Sequence, residues 1–199
     1  MPPLSSVSPI TAKASLADAL LAQSRETAKE TAGLDVSKID PGSRQGRLLA
    51  ALTNAIDEVM KANQGRINQK GVGFKGFVPA VFGRLVTEQF GSEVDGAAEI
   101  KITAPPELVR NRKASPDPFE TQVIRSKFLA PGWKKGQLFA ETVPVKGRPA
   151  TRVLVPEYYG AGCLSCHGEP KGEIDITGYP KEGAKLEQLG GVISITLYK

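Results

Sequence analysis

Cys163, Cys166 and His167 fall within one pentapeptide, Cys163-Leu164-Ser165-Cys166-His167, and they are the chain's only cysteines and its only histidine. Two thiols with two residues between them, followed directly by an imidazole, form the C-x-x-C-H pattern through which c-type haem is attached. The sulfurs bond the porphyrin vinyl groups and the imidazole binds iron. The spacing has a geometric reason: one turn offers both sulfurs to the same porphyrin edge, and the next side chain then comes under the ring. Other chemistries fit this pentapeptide less well. A disulfide here would be a redox-active pair of the thioredoxin kind rather than a framework bridge. Zinc usually takes four protein ligands, and no further Cys or His exists to supply them. One covalently attached haem c is the expected cofactor, tethered by Cys163 and Cys166 with His167 on the metal.

The sixth iron position decides between electron transfer and ligand binding. With the motif spent, the chain's own candidates are Met60, a lysine such as Lys61 or Lys70, a tyrosine, an amine terminus, water or nothing. His/Met ligation raises the reduction potential, although a buried methionine also serves simply as core filler. An open or water-occupied position would take NO or CO.

Arg110, Arg112 and Lys113 form a short basic patch suited to haem propionates, because Arg–carboxylate bonds are directional and charge-assisted; a solvated loop is the alternative. Tyr158 and Tyr159 lead into the attachment turn, where either stacks on the ring, donates a phenol hydrogen bond or packs beside it. Trp133 reads as a core or pocket-wall residue. Gly71-Val72-Gly73-Phe74-Lys75-Gly76 lacks the Gly-Lys-Ser/Thr ending of a phosphate loop. The lone histidine is committed to iron, so no nucleophile triad can form and no enzyme is expected.

These residues need elements to position them. Residues 1–14 are Pro/Ser-rich and read as a flexible N-terminus, and 15–76 as N-terminal helices. Ser15 opens one helix to about Thr31. A second runs from about Arg44 to Asn63 with an apolar stripe of Leu48, Leu49, Leu52, Ile56, Val59 and Met60, interrupted by Gly65. From 77 to 199 the pattern changes to one domain. A shorter helix buries Val78, Val81, Phe82, Leu85, Val86 and Phe90 and is stopped by Gly91. Strands follow over Glu99–Thr103, Gln137–Val143, Ala150–Val155 and Gly190–Tyr198. A helix from Asp117 to about Phe128 is inserted among them, with Pro118 in its first turn. The class is α+β: N-terminal helices, then a mainly antiparallel sheet.

The chain has 199 residues, 40% hydrophobic and 24% charged, with net charge +5 and pI near 9.2. This composition belongs to an ordinary globular domain. The cations are spread out rather than run together with aromatics, which argues against nucleic-acid binding. No stretch reaches the roughly eighteen apolar residues of a membrane span. Met1-Pro2-Pro3-Leu4 does not open a signal peptide, yet haem c is matured outside the cytoplasm, so a periplasmic location with a removed leader is expected.

From about Phe77 to Tyr198 the chain resembles a bacterial family of c-type haem sensor domains with a PAS-like fold, found alone or as the extracytoplasmic part of histidine kinases and chemoreceptors. The likeness is carried by Phe77-Val78-Pro79-Ala80-Val81-Phe82-Gly83-Arg84, Leu108-Val109-Arg110-Asn111-Arg112, Pro116-Asp117-Pro118-Phe119-Glu120, Arg152 and Pro156. It continues through Cys163 to Pro170, Tyr179-Pro180 and Leu189-Gly190-Gly191-Val192-Ile193-Ser194. One departure is the arginine segment, which in the family continues Asn-Pro-x-Asn and here reads Asn111-Arg112-Lys113-Ala114-Ser115. The resemblance implies a PAS-like sheet cradling one haem c with His167 as proximal ligand.

The expected function is a periplasmic redox or diatomic-gas (NO, CO) sensor acting on a protein signalling partner. The alternative is a small electron-transfer cytochrome c with a protein redox partner, its association steered by charge. The N-terminal stripe suits either an intrachain bundle or a homodimer.

Overall fold

The computed structural model describes residues 35–199, together with Glu26, Lys29 and Glu30. The flexible terminus expected over 1–14 and the helix expected from Ser15 to Thr31 lie outside the described residues, apart from those three. The chain divides into two compact units, Met1–Gln64 and Gly65–Lys199.

In the first unit Asp35 caps a short 3-10 turn, Val36–Lys38, by accepting a hydrogen bond from the Ser37 amide. Helix α1 follows over Arg44–Ile67, its last turn running past Gln64. Ser43 starts it, its hydroxyl accepting from the Gly46 amide at 3.0 Å, as a serine N-cap does. The apolar stripe read from the sequence is present, but full burial falls on Gly46, Ala51, Ala55, Val59 and Met60; the leucines of the stripe are half-buried. Gly65 does not interrupt this helix. A glycine costs only about 1 kcal/mol in a helix interior, too little to end one.

The first helix wholly within the second unit is α2, Pro79–Glu93, which has proline at its first turn and Val78 extended before it. Gly91 lies inside α2 rather than ending it. The chain turns just beyond, where Asp95 and Gly96 take φ values of 44° and 68°.

Four strands form one antiparallel sheet: β1 Ala98–Thr103, β2 Phe139–Val145, β3 Arg148–Tyr158 and β4 Leu189–Tyr198, in the order β1-β4-β3-β2. The tight turn Lys146-Gly147 joins β2 to β3 with φ of 52° and 77°. Positive φ at both central residues matches the right-handed twist of a hairpin. The last strand in sequence is central in space, and its alternate residues Val192, Ser194, Thr196 and Tyr198 are buried. The chain is therefore α+β, as its pattern indicated.

Helix α3, Pro118–Val123, packs against the sheet and continues into a π-helical turn, Ile124–Phe128. The sequence reads as one regular helix there. Instead the Leu129 amide bonds back to the Ile124 carbonyl at 2.9 Å, and Ile124 and Phe128 both enter the core. That core is Val123, Ile124, Phe128, Leu154, Leu189 and Val192, with Phe119, Trp133, Phe139 and Tyr158 packed around it.

A capping box fixes the start of α3: Asp117 accepts from the Glu120 amide and Glu120 from the Asp117 amide, each at 2.8 Å. Glu120 is only 1% exposed. Arg152 of β3 and Lys101 of β1 meet its carboxylate at 2.8 and 2.6 Å. A buried charge is tolerable only when paired in this way, and the pairing ties α3 to two strands.

Candidate functional site

Strand β3 ends at Tyr158, and Tyr159 is then pinned beside the start of β4. Its amide donates to the Gln188 carbonyl at 2.9 Å and its carbonyl accepts from the Glu187 amide at 2.8 Å. Next comes a 3-10 turn, Ala161–Cys163, running directly into the short helix α4, Leu164–His167. Cys163 and Cys166 stand three apart, the spacing that puts residues on one face of such a turn; Cys166 lines the cavity beside the turn and Cys163 lies outside that lining. Both are free thiols, Cys163 exposed and Cys166 half-buried. The chain leaves sharply at Gly168, where a Cβ would stand 2.6 Å from the Leu164 carbonyl oxygen; only glycine permits this exit.

The ring of His167 stacks on Tyr159, with centroids 4.9 Å apart and planes 30° apart. Its Nδ1 lies 2.9 Å from Glu182 Oε2 and 3.4 Å from the Tyr159 hydroxyl. Nε2 has no partner among the described residues.

Glu182 is itself gripped by Arg110, whose Nε and second terminal nitrogen donate to its two oxygens at 2.6 and 3.0 Å. Arg110 also donates to Asp175 Oδ2 at 2.6 Å and to the Cys166 carbonyl at 2.8 Å. One guanidinium thus holds the attachment turn and two carboxylates at once, an arrangement suited to its planar fork of donors. Asp175 completes the latch. Its other oxygen accepts from the Thr177 amide and hydroxyl at 2.7 and 2.6 Å and from the Tyr179 amide at 3.2 Å.

The electrostatics follow from these bonds. The Thr177 hydroxyl, then Arg110, hold Asp175 well below the usual carboxylate range. Burial works against ionisation of Glu182, but the bonds from Arg110 and His167 outweigh it and lower its pKa. Burial likewise opposes the Arg110 charge, and the two carboxylates overcome it and raise its pKa. Tyr159 is pushed up to about 12, first by burial and then by the nearby Glu182 charge, so its phenol stays neutral.

A cavity of about 580 Å³ adjoins this turn. One wall is α2, with Ala80, Val81 and Thr87; another is β1 from Ile100 onward and the segment around Leu108 to Ala114; Tyr159, Cys166, His167 and Tyr179 close it. Gly190 belongs to the wall for a steric reason: a Cβ there would meet the Tyr159 ring at 2.6 Å. Thr103 also lines the cavity, and its hydroxyl is buried with no hydrogen-bond partner among the described residues.

Among the residues singled out from sequence, Cys166, His167, Tyr159 and Arg110 converge on the cavity, while Cys163 is exposed and does not line it. Lys113 joins its wall, and Arg112 stands exposed on the adjoining 3-10 turn Arg112–Ala114. Met60 is buried on α1. Trp133 is a core residue, its ring 5.3 Å from that of Phe128, and Tyr158 packs on the same core. Sequence reasoning missed Glu182, Asp175 and Thr103. Only Asp175 carried a local signal, because Asp-x-Thr is a side-chain turn motif.

Two unpaired thiols, an imidazole with one nitrogen free, a largely apolar cavity and an orphaned buried hydroxyl fit a flat tethered haem with polar edges. A buried polar atom without a partner is costly, and a propionate or an iron ligand would satisfy the one on Thr103. Among the described residues no helix is long and apolar enough to cross a membrane. The family model described as Tll0287-like matches residues 36–197. No curated protein and no solved structure matches the chain.

Proposed function

The chain belongs to the Tll0287-like family of c-type haem sensor domains, and from that premise we propose that it is a periplasmic monohaem c protein sensing redox state or a diatomic gas such as NO or CO. The observation that carries this reading is the attachment turn itself: Cys163, Cys166 and His167 stand in sequence on one turn beside a cavity of about 580 Å³. A bound haem c would supply one-electron iron chemistry and a coordination position for a small ligand.

The protein's own residues do the rest. Cys163 and Cys166 tether, and His167 offers Nε2. The α2 wall offers Ala80 and Val81 beside Arg84, Thr87 and Glu88, with no methionine, lysine or other strong iron ligand among them, which supports a site open to gas. Arg112 and Lys113 form no ion pair with a described residue, and we place the propionates against them; Arg110 has its donors on Asp175, Glu182 and Cys166. Displacement of α2 would carry the signal to a protein partner, in a monomer or a homodimer.

An electron-transfer cytochrome is the second reading. The observation favouring it is that Cys163 is exposed, bringing the tethered edge to the surface. Ile174 and Ile176, each 63% exposed, sit on the loop that packs against His167. Absorption spectra of the ferric and ferrous protein, with and without CO and NO, separate the two. The gas-sensing form of the first reading expects ready binding of CO and NO. A low-spin spectrum indifferent to both gases, with a ferric methionine charge-transfer band abolished by Met60→Ala, would replace it with the electron carrier.

A further inference from the structure

We infer that Glu182 tunes the iron by hydrogen-bonding the far side of its proximal imidazole, an inference that rests on the haem c reading above. The chain has one histidine, and its Nδ1 meets Glu182 Oε2 at 2.9 Å. The Glu182 side chain is 16% exposed, so water screens this contact little. In a neutral imidazole only one nitrogen bears hydrogen, and the partner of that nitrogen determines which one. A carboxylate at Nδ1 places the hydrogen there and leaves the Nε2 lone pair for metal. Partners of this kind also make a ligating histidine more basic.

A charge-assisted bond to a carboxylate gives the ring partial anionic character. A more electron-rich ligand favours ferric over ferrous iron, so Glu182 holds the potential down. Arg110 limits the effect by donating two hydrogen bonds to the same carboxylate at 2.6 and 3.0 Å. Asp175, with its side chain fully buried, holds Arg110 in place. Arg110 further donates to the Cys166 carbonyl at 2.8 Å, so the carboxylate and the attachment turn keep a fixed relation. Glu182 acts through His167 and is a positioning residue.

The test is an equilibrium redox titration of the holoprotein at one pH, comparing wild type, Glu182→Gln and Glu173→Gln. Glu173 lies on the same loop and pairs with Lys181 at 2.6 Å, so its variant loses the same charge without touching His167. Glu182→Gln is expected to shift the equilibrium toward ferrous iron at least tenfold beyond the control, a rise of about 59 mV for one electron. Its iron–histidine stretch in resonance Raman should fall in frequency. Equal shifts in the two variants overturn the inference.

Should Glu182→Gln not hold haem, the wild type answers alone. In the diamagnetic ferrous CO adduct the His167 Nδ1 proton should exchange slowly and show a nuclear Overhauser contact to the Glu182 γ-protons. Absence of that contact overturns the inference. A wild-type chain carrying no covalent haem refutes the underlying reading; covalent haem with an unmoved potential refutes the role of Glu182 alone.

Discussion

Two regions of the second unit are held together by different physics. Beneath α3, Ile124, Leu154 and Val192 are fully buried on regular elements, and cohesion there is apolar burial, which has no preferred direction. Around the attachment turn, residues 159–188 hold little regular structure beyond four-residue α4. Cohesion comes there from Arg110, Asp175, Glu182 and His167, through bonds of 2.6 to 3.0 Å. An apolar core tolerates swaps of similar volume. A polar latch does not, because each donor has one acceptor and an orphaned partner costs more than the bond returned. The fold places its tolerance under α3 and its specificity beside the imidazole.

Cutting into the core should have the largest effect. Leu154→Ala, at a position 0% exposed, is expected to cost about 3 kcal/mol of unfolding free energy, read from the denaturant midpoint with an unchanged slope. Arg110→Met should cost about 2 kcal/mol, less than the ~3–5 of a fully buried broken pair, because the side chain is 20% exposed. Its distinguishing readout is local: hydrogen exchange should speed up over 166–184 while the strands keep their protection. Equal acceleration in both places would erase the contrast between the regions.

Acid should act on the latch. Glu182 and Asp175 have folded pKa values below their ordinary 4.5 and 3.8. Their contribution to stability is present above that range and is lost as pH falls through the lowered folded values. Stability measured between about pH 8 and 3 should therefore hold above about pH 5 and then decline, less steeply in Asp175→Asn. A decline centred above pH 6 would contradict the assignment.

Smaller effects sharpen the contrast. Asp117→Ala removes the capping box and a 2.8 Å pair with Arg152, and should cost about 1–2 kcal/mol without changing exchange in the attachment turn. Glu99→Gln breaks an exposed pair with Lys146 at 2.9 Å but keeps an oxygen to accept from the Tyr198 hydroxyl, and should change stability by less than about 0.5 kcal/mol.

The same contrast explains what could be read from the sequence. Strands β1, β3 and β4 announce themselves by alternation, as in Val192, Ser194, Thr196 and Tyr198, because period-two patterning is local. The attachment turn is legible because its chemistry requires adjacent residues. Helix ends were less so: Gly65 and Gly91 look like stops, yet each sits within a helix whose other residues outweigh one glycine. The π-helical turn at Ile124–Phe128 was invisible, since it depends on how Ile124 and Phe128 meet the sheet. The latch was invisible for a different reason. Arg110 finds Asp175 and Glu182 at separations of 65 and 72 residues, and the Gly/Lys/Glu-rich loop bearing both acids reads as a solvated surface. Arg110 itself stood out as a cation beside the site, while its partners required the fold.

The most direct test is intact-mass and acid–organic extraction analysis of the chain after expression with a cytochrome c maturation system. Colour is expected to stay with the polypeptide under denaturing extraction. One haem's added mass is expected as well, on the peptide containing Cys163 and Cys166, lost when both are changed to alanine. A colourless protein, or pigment that leaves the denatured chain, would contradict covalent haem attachment.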